Sequence, residues 1–74
     1  MDLHELGQTL KDMYFNSEKG EAVAMIHLFA IRYAKEIKNT GRSMREIAKA
    51  GDINESYGTE ISKGVKLARY VKPK

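Results

Sequence analysis

The stretch from residue 43 to residue 61, SMREIAKAGDINESYGTEI, decides the fold because it predicts two short helices joined by a tight turn. Ser43 and Glu46 form an S-x-x-E capping box, in which each side chain accepts a hydrogen bond from the backbone N–H of the other. An apolar stripe at helical spacing follows, and it consists of Met44, Ile47 and Ala48.

The turn and the second helix follow within a few residues. We expect Gly51 to end the first helix, since glycine enters the left-handed cap conformation without a steric penalty. Asn54 can cap a second helix, with Tyr57 and Ile61 on its inward side. Two helices joined by so short a turn cross at a steep angle, which leaves the outer face of the second helix free to enter a groove.

These residues resemble the prokaryotic helix-turn-helix family over about a quarter of the chain. Ile47 and Ala48 match the pair, an apolar residue followed by Ala, with which the family pattern opens. Ile53 and Ile61 match two later apolar positions. The resemblance implies a small DNA-binding domain whose second helix contacts the bases.

Two positions depart from that family pattern. Asp52 stands where the family usually has glycine, so either the turn is shifted toward Gly51 or Asp52 is left-handed, which Asp tolerates. Gly58 replaces a β-branched residue and costs the helix about 1 kcal/mol relative to Ala. Two-helix corners also serve as packing or protein-binding units, and that alternative stays open.

The charge distribution favours a nucleic-acid partner. Residues 1–40 carry five basic and six acidic side chains, whereas residues 41–74 carry eight basic and four acidic ones. No acid follows Ile61, and the basic residues there are Lys63, Lys66, Arg69, Lys72 and Lys74. A positive excess gathered at one end is typical of proteins that bind polyphosphates, although a solvated tail that only confers solubility would look the same.

We expect the second helix of the pair to continue to about Tyr70 and to turn one face toward DNA. Lys63 lies at the centre of that face and can donate to guanine, and Glu60 can accept from a cytosine amino group and so discriminate sequence. The expected DNA-binding residues are Ser56, Thr59, Glu60, Lys63 and Lys66, with Arg42, Arg45 and Arg69 on flanking phosphates. Alternatively, Gly64 stops the helix and residues 65–71, VKLARYV, form a strand or a short separate helix.

Residues 1–40 indicate a helical scaffold. A first helix is expected over about residues 2–15, and a second from a cap at Ser17 to about Lys38. From Ala22 to Ile31 only His27 is polar, so the helix is apolar on nearly every side there, and its part from Ala22 to Ile37 is either central to the fold or shared with a second subunit. Its expected core side chains are Leu28 and Phe29.

The whole chain, residues 1–74, is therefore expected to form one compact all-α domain of four helices. Residues 1–40 would serve as scaffold and dimerisation surface, residues 43–63 as the helix-turn-helix, and residues 64–74 as a basic extension. The predicted function is that of a homodimeric DNA-binding regulator of prokaryotic or phage type, or an accessory factor of a defence or mobile-element system. The alternative is an antitoxin-like or accessory protein-interaction module.

The sequence offers little support for other classes of function. It has no cysteine, its first residues are acidic, and no apolar run is long enough for a membrane span, so we expect a cytoplasmic protein. His4 has no second ligand at metal spacing, and His27 lies in the most apolar stretch, where a core or interface histidine is expected. No enzyme activity, cofactor, metal or small-molecule substrate is predicted.

Overall fold

The computed structural model describes residues 1–72, and within them the fold is entirely helical. The helices are α1 (Leu3–Phe15), α2 (Ala22–Arg32), α3 (Ala34–Thr40), α4 (Met44–Ala50) and α5 (Gly58–Leu67). A 3-10 turn, Glu55–Tyr57, leads directly into α5. The all-α prediction is confirmed; residues 73 and 74, at the end of the expected basic extension, lie outside the described residues.

Capping boxes set where two of the helices begin. In the predicted box before α4, the Glu46 backbone N–H donates to Ser43 Oγ at 3.2 Å and the Ser43 N–H donates to Glu46 Oε1 at 3.3 Å. The hydrogen bond from the Ser43 backbone lowers the pKa of the Glu46 carboxyl. Asp2 and Glu5 form a second box before α1, with a 2.8 Å bond from the Glu5 N–H to Asp2 Oδ1.

The expected cap at Ser17 is wrong. Ser17 Oγ instead donates to the Tyr14 carbonyl at 2.6 Å, on the C-terminal side of α1. The chain then turns through Gly20, whose φ of +84° is a left-handed conformation that L side chains rarely adopt. As a result, α2 begins only at Ala22.

The predicted second helix is divided in two, which makes five helices in residues 1–72 instead of four. Tyr33, with φ −109° and ψ 23°, leaves helical geometry between α2 and α3. The Tyr33 ring packs on Phe29 with the ring centroids 5.5 Å apart. After the bend, Ile37 of α3 is fully buried, so the chain returns to the same core.

One core joins all five helices and the turn that follows α4. Its buried apolar side chains are Leu6, Leu10, Ile26, Phe29, Ala30, Ile37, Ile47, Ala48, Ile53 and Ile61. Phe29 is fully buried, as predicted, and α2 is central to the fold. Leu28 is only half-buried, because it lies next to Phe29 on a helix whose adjacent residues point about 100° apart.

The most extensive helix–helix contact is between α2 and α5, and Gly64 allows the two helices to approach closely. A Cβ at Gly64 would lie 2.5 Å from Ala30 Cβ and 2.9 Å from the His27 carbonyl oxygen, which is too close for a side chain. Gly64 lies inside α5 and does not end the helix, so the alternative in which residues 65–71 form a strand is wrong. The expected end at Tyr70 is also wrong: α5 ends at Leu67, and a turn follows in which the Tyr70 N–H donates to the Leu67 carbonyl at 2.9 Å.

Candidate nucleic-acid interface

In the turn between α4 and the second helix, Asp52 is the left-handed residue, which was one of the two expected alternatives. Asp52 has a φ of 57°, whereas Gly51 has a φ of −91°, so the expectation of a left-handed Gly51 is wrong. Gly51 is needed for packing instead, because a Cβ there would lie 2.8 Å from Leu10 Cδ2 of α1. The Asp52 carboxylate pairs with Lys11 Nζ of α1 at 2.9 Å. The turn thus contacts α1 both at Gly51 and at the left-handed Asp52 itself.

Asn54 acts as a cap, as predicted, but of a 3-10 turn, and α5 itself begins only at Gly58, where its backbone lies close to that of α4. Asn54 Oδ1 accepts from the Ser56 N–H at 2.9 Å, which caps the 3-10 turn before α5. A Cβ at Gly58 would lie 3.0 Å from the Arg45 backbone nitrogen. The departure from the family pattern at Gly58 therefore has a structural reason, since a Cβ at this crossing would require the backbone of α4 to move by a few tenths of an ångström.

The outward face of α5, which we define as Ser56, Thr59, Lys63 and Lys66, is exposed throughout. The spacing of these residues places them on one side of the 3-10 turn and α5. Thr59 Oγ1 donates to the Ser56 carbonyl at 2.9 Å, which leaves the hydroxyl oxygen free to accept. The face therefore offers hydroxyl groups near its N-terminal end and two ammonium groups further along.

Glu60 is held at the edge of this face by contacts within the chain. Its side chain is 23% exposed, its Oε1 lies 2.8 Å from His27 Nε2 of α2, and its Oε2 accepts from Lys63 Nζ at 3.3 Å. Hydrogen bonds from His27 and then Lys63 lower the pKa of the Glu60 carboxyl. Because both oxygens are engaged, Glu60 orients Lys63 in this conformation. The His27 contact joins residues 33 apart, which no local sequence pattern reveals.

Of the three expected arginines, Arg45 lies at the N-terminal end of this surface, whereas Arg42 precedes α4 and lies beside residues 1–4 and Thr40. Arg45 Nη2 is 3.5 Å from Glu55 Oε2, and Arg42 Nη1 is 3.3 Å from Glu46 Oε2. Both arginines are exposed, and surface pairs of this kind contribute only about 0–1 kcal/mol, so each could exchange its carboxylate for a phosphate. Arg69 is exposed in the turn after α5, at the opposite end.

The structure adds Leu67 beside the outward face, an apolar side chain that the sequence reasoning did not assign to this surface, whereas Tyr70 was expected there from its spacing. Leu67 is 44% exposed and Tyr70 is 79% exposed, and both lie beside Lys63 and Lys66. The signal was present, because Leu67 follows Lys63 by four residues and must share its side of a continuous helix.

Residues 1–72 contain no group of three or more His, Asp or Glu side chains placed to hold a metal ion. In the same residues, no helix combines the length and the apolar character that a membrane crossing requires.

The core is all-α, α4 and α5 cross with their backbones in close contact, and the outer side of α5 is exposed. These features define a helix-turn-helix domain. The model of the HTH-like domain family matches residues 2–74, and the chain belongs to that family. The resemblance seen at residues 43–61 is thereby confirmed and extended to almost the whole chain. No curated protein and no solved structure matches it.

Proposed function

We propose that the protein binds duplex DNA by placing the outward face of α5 in the major groove. The observation that carries the proposal is the exposed polar and basic side of α5, in a chain that matches the HTH-like domain family over residues 2–74. A major groove about 12 Å wide admits one α-helix, and the second helix of this motif is the one that enters it in known complexes.

Each residue of the surface has a chemical role in this proposal. Lys63 donates to guanine O6 or N7, and Ser56 and Thr59 contact a base edge or a phosphate. The residues proposed to contact flanking phosphates are Lys66, Arg42, Arg45 and Arg69. Such contacts fix the position of the protein and supply most of the salt-dependent affinity.

Glu60 is proposed to influence base preference. A carboxylate facing the groove would repel phosphates, but it can accept from a cytosine amino group once Lys63 turns to a guanine. In the free protein, Glu60 Oε2 instead accepts a hydrogen bond from Lys63 Nζ at 3.3 Å, which limits the positions that the lysine can take. Either way, Glu60→Ala should change which bases are preferred, and not only the affinity.

The test is a titration of the protein against DNA fragments that it selects from a genomic library. The logarithm of the binding constant should fall linearly with the logarithm of salt concentration, by about 0.9 per phosphate contacted. Lys66→Ala should weaken all sequences alike and flatten that slope by about one unit. Lys19→Ala, which removes an exposed lysine between α1 and α2, is the matched control and should leave the slope unchanged. Undetectable binding at about 50 mM salt, or a Lys63→Glu variant that binds as well as the wild type, would refute the proposal.

A homodimer is the second part of the proposal. One helix contacts only a few base pairs, whereas a two-fold pair contacts two half-sites about 34 Å apart. The supporting observation is that α2 keeps apolar surface outside the core: Val23 is 41% exposed, Ala24 is exposed and Leu28 is half-buried. Sedimentation should show two copies per site, and a strict monomer both free and on DNA would contradict the dimer.

The proposed role is regulation of transcription, or assistance to a mobile-element or defence system, in the cytoplasm where prokaryotic DNA lies. No catalytic step is proposed. The alternative, an antitoxin-like or accessory subunit, would use the same corner to bind a protein. It predicts a complex that forms without DNA and whose affinity does not follow the salt dependence of phosphate contacts.

A further inference from the structure

A shallow apolar depression lies at the C-terminal end of α5, next to the outward face. It is lined by Lys63, Lys66, Leu67 and Tyr70 and has a volume of about 340 Å³. Leu67 and Tyr70 supply the apolar surface, and the two lysines supply positive charge at its edge. None of the roles proposed above uses Leu67 or Tyr70.

Leu67 is placed so that it would face the same groove as Lys63. It follows Lys63 by four residues within α5, so the two side chains point to the same side and lie about 6 Å apart along the helix axis. Successive base pairs of duplex DNA are spaced about 3.4 Å apart. With Lys63 at a guanine, Leu67 would therefore lie over a base pair one or two steps away.

The surroundings of Leu67 favour DNA over a second copy of the chain as occupant. Two copies paired through this depression would bring Lys63 and Lys66 close to their own counterparts, and like charges at an interface are unfavourable. Duplex DNA offers phosphates for the lysines and, in the major groove, one apolar group on the base edges, which is the C5-methyl of thymine.

We propose that this depression receives the C5-methyl group of thymine and that Leu67 makes the protein favour thymine at that position. The inference rests on the proposed function, because it requires α5 to enter the major groove. Tyr70 closes the far side of the depression, where its hydroxyl can donate to the DNA backbone.

The test uses one DNA fragment selected by the protein, amplified once with thymidine triphosphate and once with deoxyuridine triphosphate. The two products differ only in the thymine methyl groups. Burial of one methyl group against Leu67 should make the thymine product bind about fourfold more tightly. Leu67→Ala should abolish this preference, and Leu67→Met, which keeps an apolar side chain, should retain it. Arg42→Ala should weaken both products alike and leave their ratio unchanged, because a phosphate contact does not involve the methyl group.

The possible results distinguish the thymine contact from the proposed binding of DNA by α5. Equal binding of the two products by the wild type, with normal salt dependence, overturns the thymine contact and leaves the proposed function intact. If the protein selects no fragment from the library, or binds neither product, both the thymine contact and the proposed function are overturned. If Leu67→Ala instead converts a dimer to a monomer in the absence of DNA, the depression is an interface between copies and the thymine contact is refuted.

Discussion

Gly64→Ala tests whether backbone contact between α2 and α5 sets the position of the DNA-binding helix. Helix propensity alone favours alanine by about 1 kcal/mol. The new Cβ, however, would lie 2.5 Å from Ala30 Cβ and 2.9 Å from the His27 carbonyl oxygen. Carbon atoms in contact prefer about 3.5–4.0 Å, so the two helices would have to separate by roughly 1 Å.

We expect that separation to outweigh the gain in helix propensity. Overpacking a core costs about 1–3 kcal/mol, and the obstacle here includes backbone, which cannot rotate away. After the gain in helix propensity of about 1 kcal/mol is subtracted, a net loss of about 1 kcal/mol remains at the middle of that range, and it would lower the melting temperature by about 4–8 °C in a domain of this size. The measurement is urea unfolding followed by far-UV circular dichroism, in which the midpoint should fall while the slope stays constant.

Two further variants separate packing from propensity. Lys66→Gly changes an exposed position of α5 and should cost about 1 kcal/mol through propensity alone. Ala30→Gly removes the nearest methyl group but by itself costs α2 about 1 kcal/mol in propensity, so the double variant with Gly64→Ala should lose less stability than the sum of the two single variants. A Gly64→Ala variant that is more stable than the wild type would show that Gly64 does not determine the distance between the helices.

Three other outcomes follow from burial and charge. Phe29→Ala should cost about 3–5 kcal/mol in urea unfolding, and Leu28→Ala clearly less, because only Phe29 is fully buried. Because the pKa of the Glu60 carboxyl is lowered in the folded protein, its stabilising contribution is complete above about pH 4.5 and is lost as the pH falls through the pKa of the folded state. Glu60→Gln should therefore flatten the pH dependence of the melting temperature in that acid range. Gly51→Ala should lower the urea midpoint less than Gly64→Ala, because the Leu10 side chain that it meets can move.

Sequence reasoning succeeded where the determining contacts are local. The Ser43–Glu46 box joins residues three apart, and the Asn54 cap joins residues two apart, so both can be identified from spacing alone. The exposure of the outward face followed from the 3.6-residue period in the same way. The break at Tyr33 was missed because the apolar pattern runs through it without interruption.

The glycines of the second helix were misjudged for the opposite reason. From propensity alone, Gly58 counted against the motif and Gly64 against a continuous helix. Their structural roles depend on Arg45 and Ala30, which lie 13 and 34 residues earlier in the chain. His27 and Glu60 are 33 residues apart in sequence, so the contact that sets the surroundings of Lys63 could not be predicted from local spacing.

The two glycine contacts of α5 have a consequence for how such a domain can diversify. Gly58 fixes the start of α5 against α4, and Gly64 fixes its middle against α2, whereas the opposite side of the helix takes no part in the core. Changes at Ser56, Thr59 or Lys63 would thus leave the direction of the helix intact. Related chains could acquire different binding preferences one exposed residue at a time, while both glycines stay unchanged.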